Sequence, residues 1–316
     1  MTAATPDPLL ALIRSERLDP PARVHAVMNA IRTRHKGRVL GFVYYGSSLR
    51  DLDDPEKMLD FYVLVDSYRK THGSSLSGHW RALTNRLIPP AVYYLELETN
   101  PGEDRGDVLS TCKYSIITLG EFERRCSESF LSQVWGRFSQ PCALLDASDP
   151  SIEDRILQAR AKAVQKLARE TAPLFSRPAT APEFWGRAFY ESYRTELRPE
   201  SNDGRAREIV ERYQSRYDKV SAALFGPAVA GHYAVQDYPG TGSARRWFLR
   251  RLVGRPIAAL RVLNSAATFD GGIDYILRKI ERHSGVALDV TDAQRKHPVL
   301  WSPVLGWKLW RRGAFR

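Results

Sequence analysis

Apolar positions fall into two kinds of run along the chain. Short continuous runs, rich in β-branched and aromatic residues, read as buried strands. They are VLGFVYYG at 39–46, MLDFYVLVD at 58–66, AVYYLELET at 91–99 and STCKYSIITL at 110–119. Other stretches repeat their apolar residues at helical spacing. A short helix is expected between Pro6 and Pro21, a second over 23–34 with Val24, Val27 and Ile31 on one side, and a third over 74–88, stopped by Pro89 and Pro90. The segment 120–137 reads as one helix. The order helix, strand, strand, helix, strand, strand, helix predicts an α/β (α+β) fold, a mixed sheet with flanking helices. A mostly helical region follows, with helices over 153–174, 184–197 and 205–225 separated by proline- and glycine-bearing breaks. Residues 232–244 read as a linker or a loop near a site. The expected organisation is a sheet domain at 1–150, a helical domain at 151–243 and a C-terminal module at 244–316.

One segment of this pattern carries candidate chemistry: GFVYYGSSLRDLDDPEKMLDFYVLVD at 41–66. A strand ends in Gly46-Ser47-Ser48, and the next strand presents Asp60. A glycine lets the backbone turn sharply and approach a ligand closely. Hydroxyls and amides just after it can hold phosphate oxygens. A strand, a Gly-Ser turn and a carboxylate on the following strand form the logic of a nucleotidyl transferase, in which the turn grips a triphosphate and carboxylates hold Mg2+. The same pattern is also compatible with an ordinary strand connection. Asp60 lacks an acid two residues away: Met58 and Tyr62 occupy those positions, and Asp66 is six residues on. Glu96 and Glu98 share one face of the third strand and would complete a metal site with Asp60 if that strand neighboured the second. They would otherwise belong to a solvated edge. Asp53, Asp54 and Glu56 fit a loop better. Lys113, at the centre of the fourth strand, is a candidate for neutralising phosphate or pyrophosphate, or for reaching the surface. His72 and His79 read as surface or helix-flanking residues. His283, in IERHSG, is the histidine best placed to contact phosphate, with a helix-capping role the alternative.

Composition adds a partner class. The chain has 47 Lys and Arg against 36 Asp and Glu, a net charge of +11. From Ala244 to Arg316 there are 15 basic and 5 acidic residues, so nearly the whole surplus lies in the last 73 residues. Such a module is attracted to phosphate-rich surfaces. Trp247 and Phe248 lie among arginines in ARRWFLRRLVGRPIAALRVL, and Trp301, Trp307 and Trp310 lie beside Lys308, Arg311, Arg312 and Arg316. Indoles next to basic side chains suit an anionic membrane interface, which is favoured over nucleic acid. Packing of these tryptophans in a core is the alternative. Cys112, Cys126 and Cys142 are too few and too far apart for a disulfide framework or a compact zinc site, and are expected as reduced thiols. Neither a signal peptide nor a spanning helix is expected, so a membrane would be met from one side.

These residues resemble a known family. YGSSLR at 45–50, KMLDFYVLVD at 57–66, HW at 79–80, VYY at 92–94 and KYSIITLGEF at 113–122 fall in the order found in the mitochondrial matrix CDP-diacylglycerol synthases (phosphatidate cytidylyltransferases of the translocator-assembly-and-maintenance type) and their bacterial relatives, within the nucleotidyltransferase superfamily. The similarity covers about residues 38–125 and resumes at 263–272 and 280–291. It implies a nucleotidyltransferase domain followed by a helical, winged-helix-like domain. It further implies conversion of CTP and phosphatidic acid to CDP-diacylglycerol and pyrophosphate, with a divalent metal, by a protein peripheral to the inner face of the membrane. By position, Gly46 and Ser47 become the nucleotide grip, Asp60 a metal-binding acid and Lys113 a phosphate contact. Leu95 stands where the family usually has asparagine. A transferase with a soluble or RNA acceptor, and a non-catalytic lipid- or nucleic-acid-binding scaffold, are the competing readings.

Overall fold

A computed structural model describes residues 7–46, 49, 54, 57–87, 90–99, 108–196, 202–268, 277, 280–281, 284–296 and 298–314. Five strands form one mixed sheet: β1 (Val39–Tyr45), β2 (Leu59–Val65), β3 (Ala91–Thr99), β4 (Val108–Thr118) and β5 (Cys142–Ala147), in the order β3-β4-β2-β1-β5. β2 and β4 run parallel, and the other neighbours are antiparallel. The fold class follows the pattern in the sequence, an α/β arrangement with helices on both faces of the sheet. Four of the strands lie where their apolar runs place them. β5 is the strand that those runs did not announce, a six-residue segment following Pro141 that pairs with the outer side of β1.

Successive side chains of a strand point to opposite faces. Here both faces are covered, which is why β1 and β2 read as continuous apolar runs rather than alternating ones. One face packs Phe42, Tyr44, Phe61, Val63 and Tyr114 against helix α2 (Ala22–Arg34) through Val24, Val27, Met28 and Ile31. The other packs Val43, Tyr62, Leu64 and Ile117 against α5 (Leu119–Ser127), α6 (Gln133–Phe138) and α7 (Pro150–Thr171). Each such side chain, taken from water to full burial, contributes roughly 1.5–3 kcal/mol. The single helix expected over 120–137 is thus two short ones. Residues 128–132 break it, and the Trp135 indole donates to the Ser129 carbonyl across the turn.

α7 begins at an Asp149 cap that accepts from the amides of Ser151 and Ile152. Beyond it, α8 (Ala181–Tyr193), α9 (Asn202–Arg212) and α10 (Gln214–Phe225) close around Phe184, Trp185, Phe189 and Tyr217. Tyr213 interrupts what the sequence presents as one helix over 205–225. Helix α11 (Ala244–Thr268) starts by burying Trp247 against Trp135, with ring centroids 5.8 Å apart. A single apolar cluster therefore runs from the sheet through α7 to α11. Further along, α11 packs on β3 and against the C-terminal helix Pro298–Arg311. Cys112, Cys126 and Cys142 are buried and free. Among the described residues no helix is long and apolar enough to cross a membrane.

Candidate functional site

The face of the sheet that carries Asp60 is set by parity. Parallel pairing of β2 with β4 puts Asp60 in register with Lys113, and antiparallel pairing of β3 with β4 puts Tyr94 opposite Lys113. Asp60, Lys113 and Tyr94 thus form one row across three strands, on the same face as Tyr62 and Ser115. Gly46 closes the row at the end of β1. Its backbone has φ +106°, a conformation that side chains strongly disfavour, and a Cβ there would stand 3.0 Å from Asp60 Oδ2. The glycine is what lets the turn lie against this carboxylate. Ser47, Ser48 and His283 lie outside the described residues, as do Asp53 and Glu56.

Cations surround the row. Arg137 of α6 stacks over the Tyr45 ring, 4.8 Å from its centroid. Burial works against the Arg137 charge, but Tyr45, Glu196, Tyr62 and Asp60 together keep its pKa above the ordinary guanidinium value. Burial, reinforced by the Asp60 charge, raises the Tyr45 phenol, so Tyr45 stays neutral. Burial lowers Arg261 of α11 to about 10, with Tyr62 and Glu196 partly offsetting the loss. The C-terminal helical segment therefore delivers a guanidinium to the face that holds Asp60. A cavity of about 90 Å³ opens beside Gly46, lined by Tyr45, Arg137, Gln140, Arg205, Arg212 and Tyr213 among others. Glu208 pairs with both Arg205 and Arg212 there. Arg137 Nε is buried without a hydrogen-bond acceptor. Such an unmet donor is costly unless an anion meets it.

The acids of the third strand take a different place. β4 lies between β3 and β2, so Glu96 and Glu98 are two strands away from Asp60. Glu96 is opposite Thr111 and Glu98 opposite Leu109. Strand spacing and rise set the Glu96 and Asp60 Cα atoms about 12 Å apart, and Glu98 farther. Both glutamates are exposed, and the Tyr94 hydroxyl donates to Glu96 Oε1 at 2.5 Å. The structure brings Asp60, Lys113 and Gly46 together and leaves this pair at the rim of the same face. Asp66 lies at the far end of β2 and pairs with Arg38 at 3.4 Å. Asp54 belongs to a loop that buried Arg23 holds, through hydrogen bonds to the carbonyls of Asp54 (2.5 Å) and Lys57 (2.8 Å). Among the described residues no three His, Cys, Asp or Glu side chains converge as a ready-made metal cage.

Mg2+ is commonly held by one or two carboxylates together with substrate phosphate oxygens. The single carboxylate of Asp60, cradled by Gly46 and with Lys113 in register, fits that donor set. His72 is on the opposite face, where its Nδ1 meets Tyr93 Oη at 3.1 Å and its Nε2 meets Asn85 at 3.2 Å. His79 is exposed, with Nδ1 2.9 Å from the Ser75 carbonyl oxygen. Motif spacing alone does not point to Arg137, Arg261, Glu196 or Arg23. The usable signal for Arg137 was an arginine embedded between Trp135 and Phe138 in an otherwise apolar turn. No protein-family model matches the chain, and no curated protein matches it.

Proposed function

We propose that the protein is a cytidylyltransferase that converts CTP and phosphatidic acid to CDP-diacylglycerol and pyrophosphate. The observation that carries this reading is the Asp60–Lys113 row beneath the Gly46 turn, with Arg137 beside Asp60 and Arg261 near Tyr62 on the same face. Lys113, Arg137 and Arg261 outnumber Asp60 and Glu196 among the described charges at this face, which suits a substrate that brings its own negative charge. In the reaction, a phosphate oxygen of phosphatidic acid attacks the α-phosphorus of CTP. The new P–O bond forms as the bond to the bridging α,β oxygen breaks, and pyrophosphate leaves with that electron pair. No protein nucleophile is required. Asp60 would hold Mg2+, which supplies charge neutralisation on the phosphates when bound. Lys113, Arg137 and Arg261 would offset charge on the triphosphate and on the departing pyrophosphate, and the low-dielectric surroundings would strengthen each contact. The cavity beside Gly46 offers a place for one phosphate-bearing end of the substrates.

The resemblance in motif order selects CTP and phosphatidic acid among the possible nucleotides and acceptors. Exposed Phe248, Leu249 and Leu252 on α11, and exposed Trp301, Trp307 and Trp310 on the C-terminal helix, support a membrane-facing acceptor.

The test is pyrophosphate release with Mg2+ and each of CTP, ATP, GTP and UTP, with and without phosphatidic acid vesicles. Release with CTP and lipid alone, giving CDP-diacylglycerol, is expected. Asp60→Asn should lower it by at least about 10²-fold while the circular dichroism spectrum stays unchanged. Lipid-independent release would replace the lipid acceptor with a soluble one. Silence with every nucleotide would overturn the enzymatic reading.

A further inference from the structure

Helix α4 (Leu76–Leu87) is built inside out relative to an ordinary surface helix. At 3.6 residues per turn, Leu76, Trp80, Leu83 and Leu87 fall within one narrow stripe. That stripe faces solvent: Leu76 is 92% exposed, Trp80 66%, Leu83 48% and Leu87 68%. The side turned toward the protein carries Gly78 and Asn85. A Cβ on Gly78 would collide with the carbonyl oxygens of His72 (2.5 Å) and Gly73 (2.6 Å), so close packing fixes which side points inward. Asn85 is fully buried and bonded to His72. Neither face can be exchanged for the other without burying unpaired polar groups or producing a clash.

Charge identifies the occupant. Residues 67–87, which include the short helix α3 (Tyr68–His72), contain Arg69, Lys70, Arg81 and Arg86 and not one Asp or Glu. Arg86 and His79 flank the apolar stripe directly. An amphipathic helix with leucines and a tryptophan on one side, and only basic charge around them, has the makeup of an element lying in the plane of an anionic bilayer surface. A second copy of this chain, packed stripe to stripe, would bring the Arg86 charges of both copies into one symmetric contact with no acid on α4 to offset them.

We propose that α4 is a membrane-docking helix that inserts Leu76, Trp80, Leu83 and Leu87 into the interface of an anionic bilayer. It lies in the first half of the chain, outside the basic C-terminal module, and does not depend on the chemistry at Asp60. α4 packs on β3 through the face of the sheet that carries Tyr93, and α11 also packs on β3, so an exposed apolar helix flanks this edge strand at each of two places.

The experiment is vesicle flotation of the full chain without nucleotide, so that its outcome is separate from that of the proposed reaction. Vesicles of phosphatidylcholine alone are compared with vesicles that also contain phosphatidylglycerol. The wild-type chain should float with the anionic vesicles. Leu83→Ser/Leu87→Ser should weaken that binding by at least about tenfold, with an unchanged melting curve because both leucines are exposed. Arg86→Glu should weaken binding to anionic vesicles only. Brominated lipid should quench a component of the fluorescence that disappears in Trp80→Phe. Unchanged vesicle affinity in folded Leu83→Ser/Leu87→Ser and in Arg86→Glu overturns the proposal. So does a wild-type dimer in sedimentation that Leu83→Ser/Leu87→Ser converts to monomer, since the stripe would then be covered by a second copy.

Discussion

Gly46 shows how much one residue can impose. Its positive φ acts together with the 3.0 Å that would separate a Cβ at this position from Asp60 Oδ2. Gly46→Ala would have to strain the backbone and push the carboxylate aside. A cost of about 1–3 kcal/mol is expected, with turnover falling more steeply than stability because Asp60 is displaced. Urea unfolding alongside pyrophosphate release measures both; equal activity and stability to wild type would show that the turn is not tied to Asp60. Gly46 and Asp60 were visible in the sequence because each is unusual where it stands, a glycine ending an aromatic strand and an acid within an apolar run. Arg137 was not visible. Its importance comes from stacking on Tyr45, a residue 92 positions earlier, and no local spacing encodes that.

At the scale of elements, the packing of α2, α3 and α4 on the sheet brings together a buried histidine, His35, and a half-buried one, His72. His35 Nε2 lies 2.9 Å from Tyr114 Oη, and His72 is bracketed by Tyr93 and Asn85. Burial pushes His35 down to about 4, with the charges of Arg34 and His72 adding to it. Burial pushes His72 down to about 4 as well, with Arg81 adding. In the unfolded chain a histidine titrates near 6.5. Between pH 6.5 and 4 the unfolded state therefore binds more protons, and stability falls as the pH is lowered through that window. Above pH 6.5 this contribution is fully present. A loss on the order of a few kcal/mol for the pair is expected between pH 7 and pH 4.5, read from urea midpoints. His72→Gln should flatten the profile; an unchanged slope would show that the pair is not responsible. The sequence placed His72 beside a helix but could not bury it, because burial requires β3, which lies about 20 residues farther on.

For the whole molecule, the decisive feature is how the basic C-terminal segment joins the body. Arg250 is fully buried, its guanidinium 2.7 Å from Glu170 of α7 and 4.7 Å from the Trp247 ring centroid, while its Nε donates to the Phe130 carbonyl. Lys166 and Arg250 outweigh the burial that would raise Glu170, so its carboxyl stays below its ordinary value. Removing one partner of a buried pair leaves the other uncompensated. Arg250→Met should cost about 3 kcal/mol, less than a fully stranded charge because Lys166 remains 2.9 Å from Glu170. Combining it with Glu170→Gln should recover part of the loss, as thermal melts would show. A melt like wild type for Arg250→Met would mean that the pair does not anchor α11.

Four of the five strands, most of the helices, the α/β class and the uneven distribution of charge were legible in the sequence. Those properties follow from local periodicity, proline and glycine breaks, and composition, all of which act over a few residues. The sequence also marked Gly46, Asp60 and Lys113 individually. Tertiary structure alone decided which of the marked residues share a place. Insertion of β4 between β2 and β3 seats Lys113 beside Asp60 and moves Glu96 and Glu98 two strands away. It is again tertiary packing that turns Trp247 inward, leaves Trp301, Trp307 and Trp310 exposed, and faces the leucine stripe of α4 outward. Strand order and helix orientation are set by contacts between segments far apart in the chain, and a one-dimensional pattern holds no record of which distant segment will cover it.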